Sequence, residues 1–193
     1  EDDRYILIKD MYDIWQADPN GMEQPKNITN SFGKKNKTDF NYVRLDPEKR
    51  YIKADETILL RAQNKTTKFG GFYTKKVNEV ADPALLTAGP YTFGNPLKAK
   101  HAEQYVLQRM NISQSEIFTS PDLKNLTQIS DVAAQQKEYN WLSVELMKWK
   151  MFDGKMSEGL LFKPENFDPK KKYPVIFYFY ERDADGLFAY RGP

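Results

Sequence analysis

The chain has no cysteine and a single histidine, His101, among its 193 residues. Without thiols it can form no disulfide, thiolate metal site or cysteine nucleophile, although this does not fix a compartment. No apolar run approaches the ~18 residues that a membrane helix requires, so no membrane span is expected. An excess of one charge is also missing. The 29 basic and 27 acidic residues leave a net +2, too weak a field to hold nucleic acid or an anionic membrane. Glu1-Asp2-Asp3 runs straight into an apolar strand pattern, which is no signal peptide. The chain reads as beginning in the middle of something longer.

Aromatic residues are plentiful. They make up 14% of the chain, with twelve Tyr, twelve Phe and three Trp, and they argue against disorder despite a mean hydropathy of −0.74. They come in short runs between turn signals, the pattern of many short strands. Three stretches repeat one order of parts. The first is Tyr5–Asp10, Tyr12–Asp18 and Lys26–Asn30, with Asp18-Pro19-Asn20-Gly21 as a strong turn. The second is Thr57–Ala62, Gly71–Val77 and Ala84–Thr87. The third is Gln104–Arg109, Glu116–Thr119 and Asn125–Ser130. Phe40–Asp46 and Tyr91–Phe93 supply innermost strands for the second and third sets. Strand units recurring at about 40 residues predict β-propeller blades, with a two-sheet sandwich as the competing arrangement.

The character changes near residue 140. Leu142–Met151 reads as a strand, Asp153-Gly154 as a turn and Glu158–Lys163 as a second strand. After a turn-rich connection and a lysine run comes Tyr173-Pro174-Val175-Ile176-Phe177-Tyr178-Phe179-Tyr180. So continuous an apolar run predicts a strand buried on both faces, as in the central sheet of an α/β domain.

The segment Glu145–Tyr180 resembles the junction of propeller and α/β-hydrolase in the prolyl oligopeptidase family, in its dipeptidyl-peptidase IV-like branch. Its matching residues are Trp149, Asp153-Gly154, Gly159-Leu160-Leu161-Phe162-Lys163-Pro164, Asn166-Phe167-Asp168-Pro169 and Lys171-Lys172-Tyr173-Pro174-Val175-Ile176. Tyr12-Asp13-Ile14-Trp15 and Ser120-Pro121-Asp122-Leu123 look like propeller strands of the same family. The resemblance implies a mainly β chain: about three blades of a partial propeller over residues 1–142, then the first strands of a truncated hydrolase domain over 143–193. It implies a serine exo- or oligopeptidase acting on short peptides, with no cofactor or metal. It also makes Tyr180 the candidate oxyanion-hole donor, with Tyr178 and Tyr190 competing for the role. Glu181-Arg182-Asp183 departs from the small residues the family often places next.

The nucleophile is missing. The hydrolase serine sits on a G-x-S-x-G elbow, followed by Asp and then His. The nearest look-alike, Lys155-Met156-Ser157-Glu158-Gly159, has Lys where the first glycine belongs. His101 precedes the hydrolase segment. The triad is therefore expected outside this chain, which would be a fragment inactive by itself. The alternatives are a non-catalytic propeller binding module and an esterase of the same superfold. Open strand edges would favour homo-oligomers or edge-to-edge self-association.

Other signals read as structural. Glu181–Gly186 imitates the start of a calcium loop but has Gly192 where the last acidic ligand belongs. Lys68–Lys75 mixes basic and aromatic residues without the order of an RNA-binding strand, and reads as a strand entered by a Gly-Gly turn. Lys34–Lys37 reads as a solvated loop. The five Asn-x-Ser/Thr triplets at Asn27, Asn36, Asn64, Asn111 and Asn125 read as compositional.

Overall fold

A computed structural model describes residues 4–180 and 182–192. The chain is mainly β, built of antiparallel sheets that follow one another in sequence, each of them open at both edges. The first sheet comprises β1 (Ile6–Lys9), β2 (Ile14–Ala17) and β3 (Lys26–Asn27). A one-turn helix, α1 (Phe32–Asn36), leads to the second: β4 (Thr38–Val43), β5 (Thr57–Asn64), β6 (Gly70–Lys76) and β7 (Ala84–Gly89). The third holds β8 (Thr92–Phe93), β9 (Leu97–Lys98), β10 (Tyr105–Met110), β11 (Ser115–Ser120) and β12 (Thr127–Gln128). A long hairpin of β13 (Ser143–Lys150) and β14 (Met156–Lys163) forms the fourth.

The second sheet is packed on both faces. On β5, Ile58, Leu60 and Ala62 point one way and join Ile14, Ile28, Phe40 and Val77 in a core shared with the first sheet. Leu59 points the other way, into a core with Val43, Phe72, Phe93, Leu107, Phe118 and Leu123 that is shared with the third. Double burial explains why β5 is apolar at consecutive positions instead of alternate ones. Phe40 and Phe72 are fully buried, each stabilising the fold by about 1.5–3 kcal/mol. Rings add to this packing, with Tyr73 edge-on to Phe40 at 5.1 Å between centroids.

Glycine is required where sheets crowd. A Cβ on Gly70 would stand 2.5 Å from the Tyr91 carbonyl oxygen, and one on Gly71 would stand 2.5 Å from that of Thr87. The pair therefore lies inside β6, not in a turn before it. The turn falls earlier, at residues 65–69, where Lys68 takes a left-handed φ of 65°. Lys34–Lys37 is likewise no loop, since most of it is helical. The amides of Gly33 and Lys34 in the first turn of α1 donate to the Asp13 carboxylate at 2.9 and 3.0 Å.

The octet 173–180 corrects the sequence expectation. It forms no strand, and no other strand of the described residues pairs with it. Ile176 is 93% exposed and Phe179 85%. Apolar character makes burial favourable only where a surface exists to cover it, and an extended segment also needs a neighbour for its amides. Neither is at hand, so Phe177 and Phe179 stack only on one another, at 6.2 Å.

Candidate functional site

The residues that sequence reasoning singled out do not converge. Tyr180 is 73% exposed and Tyr178 77%. Tyr190 packs on Trp141 at 5.8 Å and accepts a hydrogen bond from Gln136 Nε2 at 3.2 Å. Ser157 lies in β14 opposite Trp149, and Gly159, whose Cβ would stand 3.1 Å from that indole, is strand, not elbow. His101 is exposed in the connection between β9 and β10. Among the described residues no acidic or histidine cluster could hold a metal ion. Of the calcium-loop imitation, Glu181 lies outside those residues, and the Asp185 carboxylate is taken by lysines.

Those lysines belong to the most highly charged constellation in the structure. Lys68 leaves the β5–β6 turn with its side chain 1% exposed and pairs with Glu158 of β14. It also meets Asp185 Oδ1 at 3.2 Å. Lys65 reaches Asp185 Oδ2 at 2.9 Å and Asp39 of β4 at 3.2 Å. Asp39 in turn holds Lys9 of β1 at 2.7 Å. Three cations and three anions thus alternate in one neutral chain that ties the first sheet, the second sheet, the hairpin and the 3₁₀ turn Asp183–Gly186 together. Burial opposes the charge on Asp185, but hydrogen bonds from Lys65 and Lys68 prevail and hold its carboxyl below the usual range. Burial likewise opposes the Lys65 charge, and the Asp185 and Asp39 carboxylates outweigh it and raise the ammonium. With every charge matched, the arrangement suits a clasp between segments far apart in sequence, not proton transfer.

A second feature is repeated. At the start of β2 the buried Asp13 accepts from the Thr29 hydroxyl at 2.7 Å, as well as from the two α1 amides. The Ile14 amide donates to that same hydroxyl, and the Ile28 amide to the Ile14 carbonyl. In the third sheet Glu116 accepts from the Ser130 hydroxyl and from the amides of Val132 and Ala133 at 3.1 and 2.8 Å. There the Ile117 amide donates to the Ser130 hydroxyl, and the Ile129 amide to the Ile117 carbonyl. Burial would raise the Glu116 carboxyl, yet the hydroxyl and amide donors outweigh it and hold it low. The middle sheet has Gly70 and Gly89 at the equivalent paired positions, and the Gly70 amide donates instead to the Tyr91 carbonyl at 3.0 Å. The signal was present in the sequence as acid-Ile-aromatic followed by Ile-Thr or Ile-Ser.

The same local chemistry accounts for several Asn-x-Ser/Thr triplets. Asn27, Asn64 and Asn111 each accept backbone amides two to four residues ahead through their side-chain oxygens. They are turn formers.

No family model matches this chain, and no curated protein matches it. Seven solved chains do. Among them is the AtxE2 isopeptidase, in its S527A variant with astexin3-dC4 bound, with a TM-score of 0.51 at 10% identity over 88% of this chain. The match spans 25% of the isopeptidase chain. At that identity the likeness concerns fold alone.

Proposed function

We propose that this chain is part of a serine peptidase of the prolyl oligopeptidase family, in its dipeptidyl-peptidase IV-like branch. In this reading residues 1–142 are about three blades of a β-propeller, and 143–193 begin an α/β-hydrolase domain. The observation that carries it is the serial stacking of open antiparallel sheets, with the second packed on both faces. Support comes from the resemblance over Glu145–Tyr180 and from the fold likeness to an isopeptidase. The octet 173–180, exposed and unpaired, lends it nothing.

The substrate class is a short peptide, and the role assigned to Tyr180 is a phenol donor to the developing oxyanion. Such a donor contributes about 3 kcal/mol to the transition state. With no elbow serine and His101 exposed between β9 and β10, the reading puts the nucleophile outside these 193 residues. The test is a serine-directed fluorophosphonate probe, applied to this chain and to the product of the whole gene. Labelling of the whole product alone, with hydrolysis of Xaa-Pro peptides, is the expected result. Stoichiometric labelling of the 193-residue chain would overturn the assignment of the nucleophile. A whole product that turns over esters but no peptides would make the protein an esterase.

A further inference from the structure

Arg109 on β10 is held between two rings. Its guanidinium carbon lies 4.3 Å from the centroid of Tyr91 and 4.0 Å from that of Phe118. With two rings this close to its carbon, the guanidinium has its N–H groups left for polar partners, and these can grip a carboxylate with two parallel hydrogen bonds.

That edge has no partner within the described residues. No carboxylate lies within 4.0 Å of it. The natural candidate is Glu116, directly opposite Arg109 in the β10–β11 register. Its oxygens are turned to Ser130, Val132 and Ala133 instead. Among the described residues the arginine thus makes no direct ion pair, although the Glu116 carboxylate stands nearby.

It lines a small depression of about 20 Å³ with Asn111, Gln114, Glu116 and Gln128 among its walls. Asn111 is committed to its own turn, and the Gln128 amide nitrogen to the Ser130 carbonyl. The Gln114 amide nitrogen and the Gln128 amide oxygen remain, one donor and one acceptor, which complement a peptide group. A single cation beside a carboxylate fits a monoanion better than a phosphate dianion.

We propose that the free edge of Arg109 is a binding site for a peptide carboxylate, at a chain terminus or on an acidic side chain. The inference stands apart from the peptidase reading, because binding requires no nucleophile. It is tested by calorimetric titration of the full chain with acetyl-trialanine as the free acid, its carboxamide, acetyl-alanyl-glutamyl-alanine amide and inorganic phosphate. The two carboxylate peptides should bind saturably, and the carboxamide at least about tenfold more weakly, the worth of one charge-assisted pair. Saturable binding by only one of the acids assigns the site to termini or to side chains. Arg109→Met should abolish the difference between acid and amide. Arg109→Lys keeps the charge but loses the fork and the ring contacts, and should weaken acid binding in a chain that still unfolds cooperatively. Equal affinity for acid and carboxamide, no binding of either acid, phosphate binding more tightly than the peptides, or unaltered binding in folded Arg109→Lys would each overturn the proposal.

Discussion

Residues 4–130 and residues 173–180 are both rich in aromatic and branched side chains, yet the first region gathers a large share of them into two cores and the second displays its own. Phe40 and Phe72 have no exposed surface, whereas Phe177 and Phe179 are 76% and 85% exposed. Composition does not separate the two. What separates them is company: β5 has a strand on either side and a sheet over each face, whereas the octet has neither. Hydrophobic burial is a property of pairs of surfaces, and a single segment supplies only half of one.

The contrast can be broken by mutation, starting where the effect is largest. Phe40→Ala empties a fully enclosed site between the first two sheets and should cost about 3–5 kcal/mol, read as a lower midpoint in chemical denaturation. A loss under about 1 kcal/mol would mean that those sheets are not packed as described.

Lys68→Met comes next, testing whether the alternating charges hold the hairpin to the second sheet. Breaking a fully buried pair costs about 3–5 kcal/mol. Here Glu158 and Asp185 are 33% and 24% exposed and can recover water, so about 1–3 kcal/mol is expected. Faster amide exchange in β13 and β14 should accompany it. The clasp should also respond to acid. Because the Asp185 carboxyl is held low in the folded chain, its contribution is intact above the ordinary aspartate value of about 3.9. It disappears as pH falls through the lower folded value. Amide exchange of the hairpin that stays constant through that descent would remove Asp185 from the clasp.

The smallest effect belongs to the octet. Phe177→Ser should change stability by no more than about 0.5 kcal/mol, as for other surface sites. A large destabilisation would show that this ring is covered in solution.

Much of the fold could be read in the sequence, because period and turn chemistry are local. The three strand sets, the innermost strands and the hairpin turn at Asp153-Gly154 fall within a few residues of their observed bounds. The short β9 and helix α1 escaped. The first has only two residues, and the second is organised by Asp13, a carboxylate twenty positions upstream of Gly33. The octet misled because its run of rings describes what the segment would favour, not what it meets. For the candidate sites, the repeated acid-Ile pattern could have been found. The lysine chain could not, since Lys68 and Asp185 stand 117 residues apart and no short-range rule links them.

That separation bears on the order of events during synthesis. The three sheets rest on contacts made within about 130 residues, so they can consolidate while the remainder is still being translated. Until Glu158 and Asp185 arrive, Lys68 projects from a finished sheet without a carboxylate, while Lys65 already has Asp39 beside it. Fastening of the hairpin therefore follows consolidation of the sheets, and a ribosome paused between residues 130 and 158 would present a nascent chain with its sheets built but its clasp still open.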